Sequence, residues 1–415
     1  MNAPNRETLL TEGVVSKLLR YVQVDSPSGD GPGVPSTPEQ WQMAHLLEAE
    51  LQALGLRDIH VDAHAIVTAT LPGNVADRPA IGLLAHFDTY PGTPGHGVKP
   101  LVHKAYAGGD IALPAGPVIG PASQPALLRC VGHDIITSDG STLLGADDKA
   151  GVAEVMEIIC RLLRNRELPH GDLRVGFTPD EETGKGVIHM DVAAFNATAA
   201  YTFDGSALGE VESENFNAQN LAVTITGKSA HTGTAKGAMI NALHLAAEWI
   251  GAIPAHMRPE TTTGYEGFIH PDAISGNVEE VTVKVLLRDF TAEGIAQKQA
   301  IVEGLLAGLE QRYPGCRTKL AVTGGYRNMK TAVDQDPRVM RLALQAVREI
   351  GVEPVVRAIR GGTDGARLSE MGLPTPNLFT GGMSYHSRTE WASAQWMEQA
   401  VAMGVRLVGL WAEEK

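Results

Sequence analysis

Cysteine is scarce in this sequence. Three occur among 415 residues, Cys130, Cys160 and Cys316, and no two of them form a C-x-x-C pair. An odd number of widely spaced cysteines argues against a disulfide framework, and the lack of paired cysteines argues against a thiolate zinc site. We therefore expect reduced, buried thiols in a cytoplasmic protein.

Basic and aromatic residues are also in short supply. Lys and Arg number 34 against 48 Asp and Glu, so the formal net charge is −14, and aromatic residues make up 5% of the chain. Affinity for nucleic acid depends on cationic side chains that neutralise phosphates. We therefore expect no nucleic-acid partner.

Long apolar runs are missing as well. No segment approaches the ~20 uninterrupted apolar residues of a membrane-spanning helix, so we expect no membrane partner. Near the N-terminus, charges interrupt apolar residues that recur at helical spacing, which predicts a buried helix face and not a signal peptide. These apolar positions are Leu9, Leu10, Val14, Val15, Leu18 and Leu19.

The sequence does contain apolar strands that end in polar residues. Strands are predicted over 81–85, 173–177 and 199–203, and a helix is predicted to follow the segment GADDKAG, 145–151. An open α/β sheet binds its ligands beyond the carboxyl ends of its strands, so we expect the polar residues there to meet. They are His86, Asp88, Asp147, Glu181, Glu182, Asp204 and His386.

A second pattern begins near residue 216. Alternating apolar residues predict strands, and helical spacing predicts the segments between them, in the order β-α-β-α-β. The strands lie at 221–225, 281–287 and near 320, and the helices at 239–250 and 301–309. This order predicts a small α+β domain, 216–324, inserted into a larger domain made of 1–215 and 325–415.

The residue types at the strand ends favour a metal centre. Imidazole and carboxylate groups are ligands of zinc and similar metals. His86 and Asp88 face the same side of a strand, so Asp88 can orient the imidazole. Singly, a His-x-Asp pair is usually a surface feature, and Asp147-Asp148 could be an acidic helix N-terminus. Together, however, converging carboxylates repel one another unless a cation neutralises them.

Several segments are, in addition, similar to a known family. The chain resembles, in order and through nearly its whole length, the aminotripeptidase branch of the M20 family of two-zinc peptidases. The segments are AHFDT (85–89), TLLGADDKAG (142–151), TPDEE (178–182), FDG (203–205), SAHTG (229–233), GYEGF (264–268), RDF (288–290), RGGTDGARLSEMGLPTPNLFTGG (360–382) and YH (385–386).

The resemblance implies both a fold and an activity. The fold is α/β: a catalytic domain with a mixed sheet and helices on both faces, and an inserted ferredoxin-like domain that serves as a lid or in dimerisation. The activity is that of a metal-dependent aminopeptidase that removes the N-terminal residue of tripeptides.

The resemblance also implies five metal ligands. Asp147 would bridge two zinc ions, His86 and Asp204 would complete one site, and Glu182 and His386 would complete the other. The ligand types alone leave Co²⁺ and Mn²⁺ open as substitutes for zinc. The peptide bond after the bridging aspartate is commonly cis in this family.

Further roles follow from the same resemblance. Glu181 is the general base, and His231 is a transition-state donor that acts when the domains close or from a partner subunit. From their chemistry, Arg288 and Arg360 are candidates to bind carboxylate or backbone groups of the substrate, because a guanidinium matches a carboxylate bidentately; surface ion pairs are the alternative. Asn217 is a weaker candidate, since a turn or cap role fits it equally well.

One position departs from the family pattern. Where this branch commonly has an acidic residue after the proline of the segment HFDTYPG, the chain has Gly92. Tripeptide selectivity is therefore open, and dipeptide cleavage or deacylation of an N-acyl amino acid are alternatives. A non-catalytic peptide-binding module is a remote alternative. The sequence leaves monomer and homodimer open.

Overall fold

A computed structural model describes residues 3–414 and divides them into two compact units. The first unit comprises the chain up to Ser213, Met329–Arg357 and the residues from Thr363 onward. The second comprises Glu214–Asn328 and Ala358–Gly362. The predicted insertion, 216–324, lies inside the longer segment of the second unit. The short return segment was not predicted.

The helices are numbered in chain order. They are α1 (Arg6–Thr11), α2 (Val14–Tyr21), α3 (Gln40–Leu54), α4 (Ala146–Arg164), α5 (Val192–Phe195), α6 (Ala242–Ala252), α7 (Ala292–Arg312), α8 (Lys330–Val333), α9 (Pro337–Glu349), α10 (Asp364–Glu370) and α11 (Ala394–Glu413). None of the helices within residues 3–414 has both the length and the apolar character needed to cross a bilayer.

The strands are numbered in the same way. They are β1 (Arg57–Val61), β2 (Val67–Leu71), β3 (Ile81–His86), β4 (Leu101–His103), β5 (Ile111–Ala112), β6 (Val118–Ile119), β7 (Ile135–Thr137), β8 (Leu173–Thr178), β9 (Ala199–Gly205), β10 (Glu210–Asn215), β11 (Asn217–Thr226), β12 (Phe268–Gly276), β13 (Glu280–Asp289), β14 (Arg317–Tyr326), β15 (Val355–Ile359), β16 (Asn377–Phe379), β17 (Gly382–Met383) and β18 (Trp391–Ser393).

A mixed eight-stranded sheet organises the first unit. Its order is β1-β2-β8-β3-β9-β16-β10-β15, and the neighbours β8, β3, β9 and β16 are parallel. The outer pairs β1–β2, β2–β8 and β10–β16 are antiparallel. The predicted strands at 81–85, 173–177 and 199–203 are confirmed as β3, β8 and β9. Their carboxyl ends therefore meet at one edge.

Helices cover both faces of this sheet, as the fold class requires. On one face Leu84 and Ala200 pack with Phe195 of α5 and Leu368 of α10. On the other face α4 packs against β3 and β9. Strand β3 is buried at every position, as expected for a central strand covered on both faces.

The second unit is a four-stranded antiparallel sheet with two helices. Its order is β12-β13-β11-β14, and the chain order is β-α-β-β-α-β. Alternate residues of β11 and β13 are buried beneath α6 and α7. Together with residues of the two helices, among them Trp249 of α6, they form one core. The predicted order lacked β12, because Pro271 and a register shift beside it break the alternation. Proline is tolerated there because β12 is an edge strand.

One local prediction needs adjustment. The N-terminal apolar pattern belongs to two helices, α1 and α2, since Glu12 and Gly13 interrupt it and Gly13 is the N-cap of α2. The Pro- and Gly-rich segment 91–125 contains no α-helix among the described residues, and its strands are the short β4, β5 and β6. Cys130, Cys160 and Cys316 are buried free thiols.

Candidate metal centre and active site

The site lies at the carboxyl edge of the parallel strands in the first unit. His86 is the last residue of β3, Asp204 lies near the end of β9, and Glu181 and Glu182 follow β8. Asp147 lies in the first turn of α4, where Gly145 takes a φ of +81° and the Asp147–Asp148 peptide bond is cis. Because parallel strands end at one edge, these side chains converge.

Asp147 lies between two imidazoles. Its Oδ1 is 3.1 Å from His86 Nε2, and its Oδ2 is 3.1 Å from His386 Nε2. Each carboxylate oxygen therefore faces a different histidine. A bridging ligand of two metal ions requires this arrangement.

The remaining predicted ligands flank this carboxylate. Glu182 Oε2 is 2.9 Å from His386 Nε2, and Asp204 Oδ1 is 3.6 Å from His86 Nε2. Glu182 Oε1 is buried and has no hydrogen-bond partner among the described residues. The structure thus brings together all five side chains that the resemblance implied as ligands.

The ligand atoms are close enough to hold metal ions. Atoms of His86, Asp147 and Glu182 lie within 4.8 Å of one another, as do atoms of His86, Asp148 and Asp204. Asp148 was not predicted as a ligand. Its two oxygens accept backbone N–H bonds from His86 and Gly151, at 3.2 Å and 3.1 Å, which suits an orienting role better.

The electrostatics of the cluster also suit cations. Burial raises the pKa of Glu182 to about 7. Burial opposes protonation of His386, but hydrogen bonds to Asp147 and Glu182 outweigh it and raise its pKa to about 10. The carboxylates are therefore stabilised by positive charge on the imidazoles, a role that a divalent cation can take over while protons leave.

Asp88 connects a histidine to the loop that follows β8. It is fully buried, and its Oδ1 lies 3.2 Å from His86 Nδ1. The same oxygen accepts the Glu181 N–H at 3.0 Å, and Oδ2 accepts the Glu182 N–H at 3.3 Å. Asp88 can therefore orient the His86 ring and the backbone of both glutamates.

Glu181 lies beside the histidine pair without joining it. Its Oε2 is 4.0 Å from His86 Nε2. Burial raises its pKa well above the ordinary glutamate value, opposed by His86 and reinforced by Asp204 and Asp364. A carboxyl group with a raised pKa, next to a cluster of metal ligands, is chemically suited to accept and return a proton near neutral pH.

Sequence reasoning missed three supporting residues. Glu390 is buried and accepts the N–H groups of Leu144 and Gly145 at 2.8 Å and of Asp147 at 2.9 Å. Asp364 is buried and accepts a hydrogen bond from a threonine of β8 at 2.7 Å. Tyr90 stacks on His386. Asp364 lies in the GGTDGA block and Tyr90 in the segment HFDTYPG, which could have pointed to them, but no motif marks Glu390.

The other predicted residues lie in the second unit. His231 is exposed, and its Nδ1 accepts the Gly233 N–H at 3.2 Å. Asn217 is buried and bonded at both ends of its amide: Nδ2 donates to Phe290 O at 3.0 Å, and Oδ1 accepts the Asn328 N–H at 3.0 Å. These bonds hold backbone segments of the second unit together.

The two arginines are also engaged within the second unit. Arg288 donates to Asn220 Oδ1 at 3.2 Å. Arg360 donates to Gly264 O at 2.6 Å and Glu266 O at 2.9 Å, and its guanidinium lies over the ring of Phe216. Substrate binding by these residues stays a prediction.

Comparison with known proteins places this geometry in context. Residues 141–409 match the model of peptidase family M20/M25/M40. Peptidase T of Escherichia coli K12 is 45% identical over 406 residues, which cover 97% of this chain and 99% of that protein. Peptidase T of Escherichia fergusonii is 45% identical over 405 residues, with the same coverage.

Solved structures show the same fold. Aminopeptidase PepT from Bacillus cereus aligns with a TM-score of 0.76 at 24% identity, over 98% of this chain and 99% of that one. A tripeptidase from Staphylococcus aureus aligns with a TM-score of 0.77 at 22% identity, over 99% of both chains.

Proposed function

The chain belongs to peptidase family M20/M25/M40, and we propose that it is an aminopeptidase that hydrolyses the N-terminal peptide bond of tripeptides. The observation that carries this function is the Asp147 carboxylate held between His86 and His386, with Glu181 beside it. The name peptidase T, borne by relatives 45% identical over 97% of the chain, supports the tripeptide substrate.

We propose that the centre holds two zinc ions per chain. His86, Asp147 and Asp204 would hold one ion, and Asp147, Glu182 and His386 the other. Ions bound in this way act as Lewis acids that polarise a carbonyl and lower the pKa of water. The donor set, imidazole and carboxylate only, also accepts Co²⁺ or Mn²⁺.

The chain's own residues supply the proton transfers. Glu181 takes the proton of the attacking water and returns it to the leaving amine, since its raised pKa suits both directions. Asp88 positions Glu181 by accepting its backbone N–H and orients His86 through Nδ1. His231 would donate to the developing oxyanion of the scissile carbonyl, either when the domains close or from a partner subunit.

The alternatives within the family differ at the substrate, so the test is a comparison of substrates. Dipeptidases cleave shorter peptides, and deacylases accept a blocked amine. Gly92 leaves both alternatives open, since the family branch commonly has an acidic residue at this position. We further propose small cytoplasmic peptides as the substrates, acted on by a monomer or homodimer.

The experiment measures hydrolysis of Ala-Ala-Ala, Ala-Ala and N-acetyl-Ala-Ala-Ala by zinc-loaded enzyme, with a chelated sample as the control. We expect chelator-sensitive cleavage of the free tripeptide and little cleavage of the other two. Equal or better cleavage of Ala-Ala or of the blocked peptide would replace the tripeptide assignment by dipeptidase or deacylase activity. The same assay with Co²⁺ or Mn²⁺, together with elemental analysis of the purified protein, identifies the metal.

A further inference from the structure

Tyr90 lies flat against one of the residues that would hold metal. Its ring and the His386 imidazole are nearly parallel, at 3°, with centroids 4.0 Å apart. Three residues later, Thr93 Oγ1 donates a hydrogen bond of 2.7 Å to the His386 backbone carbonyl. The segment 90–93 therefore contacts both the ring and the main chain of His386.

The two histidines of the centre are held in different ways. His86 is buried, and Asp88 Oδ1 lies 3.2 Å from its Nδ1. The His386 side chain is 45% exposed, and its Nδ1 forms no hydrogen bond within residues 3–414. A metal-binding histidine is usually oriented through its second ring nitrogen. For His386, contact with the stacked Tyr90 ring replaces a hydrogen bond at the second ring nitrogen.

Gly92 is required by the position of the Tyr90 ring. A Cβ atom at residue 92 would lie 2.5 Å from Tyr90 Cε1, 2.6 Å from its hydroxyl and 2.7 Å from Cζ. Its φ lies outside the left-handed region, so the reason for glycine is space and not backbone conformation. Any side chain at this position would displace the ring from His386.

We propose that Tyr90 is a positioning residue that holds the His386 imidazole toward Asp147 and Glu182, and that Gly92 is present to admit its ring. The inference rests on the proposed function, in which His386 holds metal. It also explains the departure from the family pattern, because an acidic side chain at residue 92 and a stacked Tyr90 cannot occupy the same space.

The test is the zinc affinity of metal-free protein, measured by competition with a chromophoric chelator. Tyr90→Ala and Tyr90→Leu remove the stacked ring, and Gly92→Ala displaces it without changing Tyr90. We expect all three variants to weaken one of the two zinc sites about ten- to a hundredfold. Tyr90→Phe, which keeps the ring, should stay within about twofold of wild type.

Gly109→Ala is the matched control. Gly109 lies in the same Pro- and Gly-rich segment, and a Cβ there would meet nothing within 4 Å. We expect unchanged zinc affinity and an unchanged melting temperature. Equal loss of affinity in Tyr90→Phe and Tyr90→Ala would overturn the role of the ring, and wild-type affinity in Gly92→Ala would overturn the role of Gly92.

The readout separates this proposal from the proposed function. Zinc affinity is measured without substrate. If wild-type protein binds two zinc ions but does not cleave tripeptides, the proposed function is wrong, and the comparison of variants still tests the role of Tyr90. If wild-type protein is active and the Tyr90→Ala variant has unchanged zinc affinity and kcat, only the positioning role of Tyr90 is contradicted.

Discussion

At the scale of single residues, neighbouring carboxyl groups of the centre differ in their surroundings. Burial raises the pKa of Asp147, but hydrogen bonds from His386 and His86 outweigh it and hold that pKa below the usual range. Glu181 has a raised pKa, since burial dominates and no histidine bonds to it directly. The first suits a ligand and the second suits a base.

This difference predicts the behaviour of Glu181→Gln. We expect kcat to fall by about 10²- to 10⁴-fold, because the near-isosteric amide cannot accept a proton. The zinc content should stay at that of wild type, since Glu181 is not among the residues that would hold metal. Steady-state kinetics and elemental analysis check both points, and activity within tenfold of wild type would exclude Glu181 as the base.

A second buried glutamate has no place in the mechanism. Glu154, on α4, is fully buried, and neither carboxylate oxygen has a hydrogen-bond partner among the described residues. Burial, with the nearby Asp148 and Glu398, raises its pKa well above the ordinary value. In the unfolded chain the same group has a pKa of about 4.3.

The pKa difference predicts a pH-dependent effect of Glu154→Gln. Above the unfolded-state pKa, Glu154 loses its proton in the unfolded chain but keeps it in the folded protein. Rising pH therefore favours the unfolded chain, and the free energy of unfolding falls. Glutamine does not titrate. We expect the melting temperature of the variant, relative to wild type, to increase from pH 5 to pH 8. A difference that stays constant over this range would show that Glu154 ionises in the folded state.

At the scale of elements, one turn determines where Asp147 lies. The residues 144–147 precede the regular part of α4, and three of their N–H groups bind the single carboxylate of Glu390. Glu390 itself directly precedes β18, which pairs with β7 in a separate four-stranded sheet. The turn is thus fixed to a different sheet from the one that carries His86.

Replacing Glu390 by glutamine tests this connection. One of its two acceptor oxygens becomes an NH₂ group that faces backbone N–H donors, so the turn should shift. We expect zinc affinity to fall about ten- to a hundredfold, as for other residues that support metal ligands. Glu167→Gln, at an exposed position of the same unit, should have wild-type affinity. Wild-type affinity in Glu390→Gln would mean that the turn does not need this carboxylate.

At the scale of the whole molecule, the chain divides its functional residues between two units. All five candidate ligands, Glu181 and Asp88 belong to the first unit, which contains the mixed sheet. His231 belongs to the second unit, which has its own core beneath α6 and α7. The metal centre is therefore expected to assemble without His231.

This division predicts the effect of His231→Ala. We expect kcat to fall about 10²- to 10³-fold through loss of a transition-state donor, while the zinc content and melting temperature stay at wild-type values. His244→Ala, at another exposed histidine of the second unit, is the control and should retain activity. A change confined to KM would show that His231 binds substrate and does not act in the transition state.

The sequence determined the features that depend on local pattern and residue type. Apolar runs predicted β3, β8 and β9, and helical periodicity predicted α4, α6 and α7, because burial on a regular element imposes its period on the side chains. The candidate metal ligands were predicted from the resemblance of their motifs to the family, supported by polar residues that follow predicted strands. Strand β12 was missed, because Pro271 and a register shift break its alternation.

Only the tertiary structure decided which side chains meet. Glu390 accepts the Asp147 N–H although the two residues are 243 positions apart in the sequence. Thr93 donates to the His386 carbonyl over a separation of 293 positions. Local patterns carry no information on such contacts, because they arise from the packing of separate elements. The candidate ligands were predicted from the sequence, but the residues that hold them in place depend on the fold.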